Sequence, residues 1–174
     1  MFSVDINDDA IVEASETFQV SLTNVIASSV PADSINVSAT ATGTITDNDT
    51  ASITIEDTTV TESGVLTFTA TLDSTVDGGF TVDTIFNDLT AIGSGIDYDS
   101  NTQTLSFIGT AGETQVFTVA VNNDLLIEGS ETFEVGLTGV VTGTAPASAL
   151  SISCLLYTSP SPRDRTRSRM PSSA

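Results

Sequence analysis

The sequence predicts an all-β fold made of antiparallel β-sandwiches in tandem. Three observations predict it. Apolar side chains alternate with Thr and other small polar residues at period two, no segment carries a convincing helical period, and one stretch of chain recurs without a gap at an offset of 115 residues. Period-two alternation rich in Val, Ile, Thr and Phe marks strands with one face buried and one in water.

The alternation locates the strands one by one. Leu66, Phe68, Ala70 and Leu72 alternate with Thr and Thr-like partners. Phe80 with Val82, Leu105 with Phe107, Phe117 with Val119 and Val121, and Phe133 with Val135 and Leu137 repeat the pattern. These apolar residues are the expected core. Asp77-Gly78-Gly79 stands between two such runs and reads as a hairpin turn, because two glycines supply the positive φ a tight turn needs. Short strands separated by turns over roughly 100 residues fit a β-sandwich.

The repeat sets the domain plan. FSVDINDDAIVEASETFQVSLTNV, from Phe2, aligns with FTVAVNNDLLIEGSETFEVGLTGV, from Phe117. A period this long suits whole small domains rather than solenoid units. Residues 1–50 are therefore expected to be the C-terminal half of one repeat. Residues 51–153 are expected to be a nearly complete second repeat lacking its final strand.

Composition changes at Cys154. The last stretch, 154–174, holds the only Cys, all four Arg and three of the five Pro. Cys154–Asp164 resembles the translation of a transposase-type sequencing-library adapter, and Ser168–Ala174 resembles its distal part. Arg165–Arg167 fall where a variable index would sit. Residues 154–174 are therefore expected to be a disordered tail of artefactual origin, set aside from fold and function.

Charge then becomes the dominant fact. The whole chain has 23 acids, four Arg and no His, for a formal charge of −19. Up to Ser153 there is no Lys, Arg or His at all, and 22 of the 23 acids lie there, so that stretch carries −22. Such a chain has no phosphate-binding basic surface, which excludes nucleic acid as a partner. It has no nucleophilic triad, zinc site or disulfide framework. No apolar run is long enough to span a membrane, and the start shows neither a basic n-region nor an apolar h-region.

The acids cluster. Asp8, Asp9, Glu13 and Glu16 sit on one loop and its exit; the copy reads Asn123, Asp124, Glu128 and Glu131; Asp47-Asn48-Asp49 closes the first repeat. Glu62 in TVTESG and Asp97 in GSGIDYD are smaller acidic points, while Asp33, Asp73 and Asp83 look like scattered solvent-facing charges. Carboxylates packed on a loop with no internal cation need a counter-charge from outside. Ca²⁺ fits, because it accepts about 6–8 oxygen ligands in flexible geometry. Mg²⁺ requires a tighter octahedron, and transition metals prefer the His and Cys that are missing.

These residues carry a family resemblance. NDDAIVEASETFQVSL, its copy NNDLLIEGSETFEVGL, GTITDND between the repeats, and GSGIDY ahead of LSF together resemble the Calx-β repeat. The resemblance implies an immunoglobulin-like β-sandwich with Ca²⁺ bound at one end, beside the linker to the next domain. It implies ligands in the first repeat at Asp8, Asp9, Glu13, Glu16, Asp47, Asp49 and the carbonyl of Ile11. In the second repeat it implies Glu62, Asp97, Asn123, Asp124, Glu128, Glu131 and the carbonyl of Leu126. Asn123 stands where the first repeat has Asp8, which removes one charge from the second set.

The expected function is that of a Ca²⁺-binding structural module in a large multi-repeat bacterial protein, extracellular or at the cell surface, with the parent chain anchored to the membrane or released. Its expected partners are neighbouring repeats of the same chain and a protein or glycan ligand on a host or neighbouring cell, in adhesion or cell communication. A Ca²⁺-independent acidic spacer is the alternative. A glycosidase using Glu128 and Glu131 as its carboxylate pair is the enzymatic competitor; the chain has no Trp to form a sugar platform, and no catalytic residue is expected.

Overall fold

The computed structural model describes residues 2–24, 26, 29–31, 34–56, 58–61, 63–123, 129–152 and 155–159, the last five by their backbone alone. Among these residues there is no α-helix, and the 3-10 turn Ala147–Ala149 precedes β11 in an otherwise largely β chain. The predicted fold class holds.

In chain order the strands are β1 (Ile11–Val12), β2 (Glu16–Ser21), β3 (Thr40–Ile45), β4 (Ala51–Ile55), β5 (Val65–Leu72), β6 (Thr75–Val76), β7 (Phe80–Asp88), β8 (Thr104–Phe107), β9 (Thr114–Ala120), β10 (Glu131–Thr142), β11 (Leu150–Ile152) and β12 (Leu155–Ser159). Repeat two is a sandwich of two four-stranded sheets, ordered β11-β4-β5-β9 and β12-β10-β7-β8. Pairs within each sheet are antiparallel except β11 with β4, which run parallel.

The alternation seen in the sequence places one face of every strand inward. Leu66, Phe68, Ala70 and Leu72 of β5 and Phe117 and Val119 of β9, from one sheet, share one buried cluster with Phe80 and Val82 of β7, Leu105 and Phe107 of β8, and Phe133, Val135 and Leu137 of β10, from the other. Cross-strand aromatic pairs fix the register. Phe68 stacks on Phe117 with ring centroids 5.0 Å apart, and Phe80 on Phe107 at 4.9 Å. Such pairs add roughly 0.5–1.5 kcal/mol beyond the area they bury. Tyr98, buried outside any strand, stacks on Phe133 at 3.9 Å and donates its hydroxyl to Asp88 Oδ1 at 2.5 Å. Burial and the Asp88 carboxylate hold the Tyr98 phenol far above its usual pKa.

Two expectations change. Gly78 and Gly79 do adopt positive φ, 74° and 61°, as a tight turn requires. The strands flanking the turn belong to different sheets, however, so it is a crossover between layers and not a hairpin. β6 pairs instead with β1, in parallel. The second change concerns the tail. Leu155–Ser159 was expected to lie outside the fold, yet it forms β12 along β10, from Glu131↔Ser159 to Val135↔Leu155. In repeat one, β3 pairs with β2 in nearly the same register, from Glu16↔Ile45 to Ser21↔Thr40. β12 thus takes the place of the strand that repeat two was expected to lack. An open edge beside β10 offers unpaired backbone groups to any extended segment that follows. Residues 160–174 lie outside the described residues.

Repeat one contributes the two-stranded sheet β2-β3 and the two-residue β1. Phe18 of β2 lies across the glycine paired with it, Gly43, where an added Cβ would meet the ring at 2.5 Å.

The two repeats should differ in what their aromatics contribute. Phe117→Ala removes a buried ring and should cost about 3–5 kcal/mol in urea unfolding. Phe18→Ala, at a half-buried site, should cost clearly less; equal losses would contradict the packing described.

Candidate functional site: an acidic cleft at the junction of the repeats

The site forms where β1 and the β3–β4 connection meet. Asp8 and Asp9 precede β1, Glu13 follows it, Glu16 opens β2, and Asp47 and Asp49 lie between β3 and β4. All six carboxylates line one cleft of about 290 Å³, together with Ile6, Asn7, Ala14, Ile45, Thr46 and Asn48. Residues more than thirty positions apart in sequence are thus brought together, as expected for repeat one. Ile11 sits beside the cleft in β1 and does not line it.

Backbone N–H groups do the work that cations would otherwise do. Asp47 Oδ2 accepts from the Glu13 amide at 2.9 Å, and its Oδ1 accepts from the Asp49 amide at 3.2 Å. Asp9 Oδ1 accepts from the Ile11 amide at 2.9 Å. Hydrogen bonds to a carboxylate favour its charged form. The Glu13 amide, helped by those of Asp49 and Asn48, accordingly holds Asp47 below the usual carboxylate pKa.

Glu13 and Asp49 go the other way. Desolvation raises Glu13, and the charges of Asp9, Glu16, Asp77 and Asp47 add to it. Desolvation raises Asp49 too, followed by the charges of Asp47, Asp8 and Asp9. The cleft therefore holds one settled carboxylate and two that are held uncomfortably in their charged form. Among the described residues, no three acids stand close enough together to make a finished metal-ligand set.

Asp77 was not singled out from sequence. It belongs to the crossover turn of repeat two, where Thr144 Oγ1 donates to its Oδ2 at 2.6 Å and to its carbonyl at 2.8 Å. Its charge reaches Glu13 of repeat one. The only signal in the sequence was its place in a turn, and nothing there indicated that the turn faces the other repeat.

The second acid set lies at the opposite end of repeat two, and only part of it is described. Glu62, Asp124, Leu126 and Glu128 lie outside the described residues. The segments around them do converge. The Val121 amide donates to the Gly64 carbonyl at 3.0 Å, and the Asn122 amide donates to the Asp97 carbonyl at 2.8 Å. Asn122 Nδ2 also reaches the carbonyls of Gly95 and Ile96, at 2.6 and 3.0 Å. Asp97 is thereby tied beside Asn122, next to exposed Asn123, while its Oδ2 accepts from the Ile92 amide at 2.7 Å. Glu131 opens β10, half-buried.

Some acids are structural. Asp73, expected to face solvent, accepts from the Ser52 amide at 2.7 Å and its hydroxyl at 2.6 Å, pinning the start of β4. Burial pushes its carboxyl up, but the Ser52 and Ser74 hydrogen bonds win and lower it. Asp83 accepts from the Thr104 hydroxyl at 2.6 Å. Glu113 likewise gathers the amides of Ile108 and Gly109, each at 3.0 Å.

The Calx-beta domain family matches residues 1–49 and again 46–154. The chain belongs to the Calx-beta family. Its two matched regions meet at the Asp47-Asn48-Asp49 segment that lines the cleft. Among solved structures, the apo-form Calx CBD1 domain is similar at 21% identity and a TM-score of 0.51, covering 64% of this chain and 98% of that one. The calcium binding domain CBD12 of CALX1.1 is similar at the same identity and TM-score, covering 63% of this chain; the alignment spans less than half, 45%, of that tandem structure. At this identity the likeness concerns the fold. No curated protein matches the chain.

The opposite pKa directions give a sign test. Asp47, with its pKa lowered by folding, stabilises the fold above its unfolded pKa and loses that contribution as pH falls through its folded value. Asp49, with its pKa raised, penalises the fold as pH rises through its folded value. Thermal unfolding in a chelator at neutral pH should therefore show Asp49→Asn more stable than the parent and Asp47→Asn less stable. Shifts of the same sign in both variants would contradict this arrangement.

Proposed function

We propose that the chain is a calcium-binding structural module whose ion sits in the acidic cleft at the end of repeat one, beside the link to repeat two, and stiffens their junction. The observation that carries this reading is the convergence of six carboxylates, from two separate segments, on one cleft with no Lys, Arg or His in either repeat. Hard oxygen donors on flexible loops suit Ca²⁺, which tolerates irregular coordination. Asp8, Asp9, Glu13, Glu16, Asp47 and Asp49 would hold it. Glu13 and Asp49 gain most, since a cation offsets both the desolvation and the repulsion that raise them. The ion draws the acids together from an arrangement in which they stand apart. Family membership and the similarity to the calcium binding domain CBD12 of CALX1.1 support the same reading.

A second site of the same kind is proposed at the far end of repeat two, from Glu62, Asp97, Asp124, Glu128 and Glu131, with Asn123 lowering its charge. The Asn122 and Val121 hydrogen bonds, which gather the described parts of that end, support it. The module is a binding element and not an enzyme. Its place is outside the cell or at its surface, within a longer adhesive or communicating chain of bacterial origin. Calcium there stands near millimolar, the range of extracellular modules at about 10⁻⁴–10⁻³ M. Among the described residues, no helix is long and apolar enough to cross a membrane. The Arg-rich end remains, in this reading, foreign to the protein.

Binding only to the folded state stabilises it by about 2.7 kcal/mol at a hundredfold excess over Kd. Thermal unfolding should shift upward with millimolar Ca²⁺ and remain unmoved by NaCl of equal ionic strength. Asp49→Asn and Glu16→Gln should remove the shift. An equal response to both salts would reduce the effect to charge screening and favour the acidic spacer.

A further inference from the structure

Two strands of almost unrelated sequence lie along equivalent edges. The offset of 115 makes β10 the counterpart of β2, with Glu131 for Glu16, Phe133 for Phe18 and Val135 for Val20. β3 lies along β2 with Glu16↔Ile45, Phe18↔Gly43 and Val20↔Ala41. β12 lies along β10 with Glu131↔Ser159, Phe133↔Tyr157 and Val135↔Leu155. Among the residues so matched, only Thr44 and Thr158 are identical. The pairing is therefore set by the backbone ladder and not by side chains. In strand addition, main-chain hydrogen bonds give affinity, and pockets for side chains give specificity.

The structure shows why the β10 edge is undemanding. In repeat one, Phe18 lies where a Cβ on Gly43 would meet its ring at 2.5 Å. In repeat two, Phe133 stacks instead on buried Tyr98, 3.9 Å away, and sets no such condition on the residue opposite. Charge is the remaining filter. Glu131 and Glu134 belong to the paired stretch of β10, and neither β3 (TATGTI) nor β12 (LLYTS) carries an acid.

A donor strand is loosely held elsewhere in the chain. β3 belongs to a two-stranded sheet, and four of its six residues are exposed. A sheet of two strands is marginal in water. β10 sits in a four-stranded sheet over the hydrophobic core. Moving β3 from β2 to β10 exchanges a weakly supported ladder for a well supported one. We propose that the β10 edge is a strand acceptor read through the backbone, and that its partner is β3 of a second copy of this chain. β12 holds the edge from within the same chain, where its effective concentration is high, so exchange begins when β12 lets go. Donor and acceptor are different surfaces, so copies link as an open array instead of a closed pair. The contact joins separate chains and uses neither the acidic cleft nor an ion.

The test is sedimentation velocity of the full chain over a range of concentrations, with a reductant and a chelator present. Two adjacent prolines remove a ladder N–H from a strand whichever way it faces. Leu156→Pro/Tyr157→Pro should free the edge, and its mean mass should rise with concentration while the parent stays monomeric. The synthetic peptide of residues 38–46, SATATGTIT, should cap the freed edge and return that variant to monomer. Adding Ala41→Pro/Thr42→Pro to the freed variant should abolish linking. Linking that survives the β3 prolines or excess peptide, a freed variant that stays monomeric, or a parent that links as strongly would each overturn the proposal. Hydrogen exchange on the parent decides the matter even if the freed variant unfolds. Amides of the β10–β12 ladder should exchange by local opening while those of β5 and β9 stay protected. Exchange of both sets together, only on global unfolding, would mean that the edge never opens by itself and would sink the idea.

Discussion

Repulsion among carboxylates without an internal cation is the constraint on which this structure turns. From the first residue to Ser153 the chain carries 22 acids and no basic side chain. Coulomb repulsion between neighbouring charges is weak in water and grows as water is excluded. The fold answers it with backbone amides. Asp47, Asp73, Asp97 and Glu113 each accept from amide N–H groups that strand pairing leaves unused. Asp47 and Asp73 also tie separate segments together, while Asp97 and Glu113 each close their own loop, so the same contacts that tame the charge shape the ends of the sandwich.

Where amides run out, charge accumulates. The cleft at the end of repeat one is that place. Asp47 and Asp9 take amide donors, while Glu13 and Asp49 are left with desolvation and like-charged neighbours. The same cleft adjoins the contact between the repeats. Glu13 follows Val12 directly, so the residue whose amide is bound by Asp47 sits next to the residue buried in the second repeat. Charge at the cleft and contact between the repeats are one bond apart along the backbone.

Much of this was legible in the sequence, for physical reasons. The core residues of β5, β7, β8, β9 and β10 announce themselves by alternation, since a strand with one wet face must alternate. The acids of repeat one are brought together as their clustering and the family resemblance imply. Tertiary facts were not legible. Asp77-Gly78-Gly79 has the chemistry of a tight turn, and turn chemistry does not say whether its strands share a sheet. Val12 reads as an ordinary apolar residue in a loop, because periodicity says nothing about which repeat buries it. Asp73 reads as a solvent-facing acid in the sequence, as its hydrogen bonds to Ser52 depend on strand register. Leu155–Ser159 shows the reverse effect: an open strand edge recruits a segment whose composition set it apart from the domain.

The most direct test of the central claim is calorimetric titration of the chain with Ca²⁺ in high NaCl. Salt at that level screens diffuse attraction between the ion and a charged surface and leaves a coordinated site intact. The account predicts saturable heat with a defined stoichiometry that disappears in Asp49→Asn. A heat that never saturates, or that vanishes as NaCl is added, would contradict it.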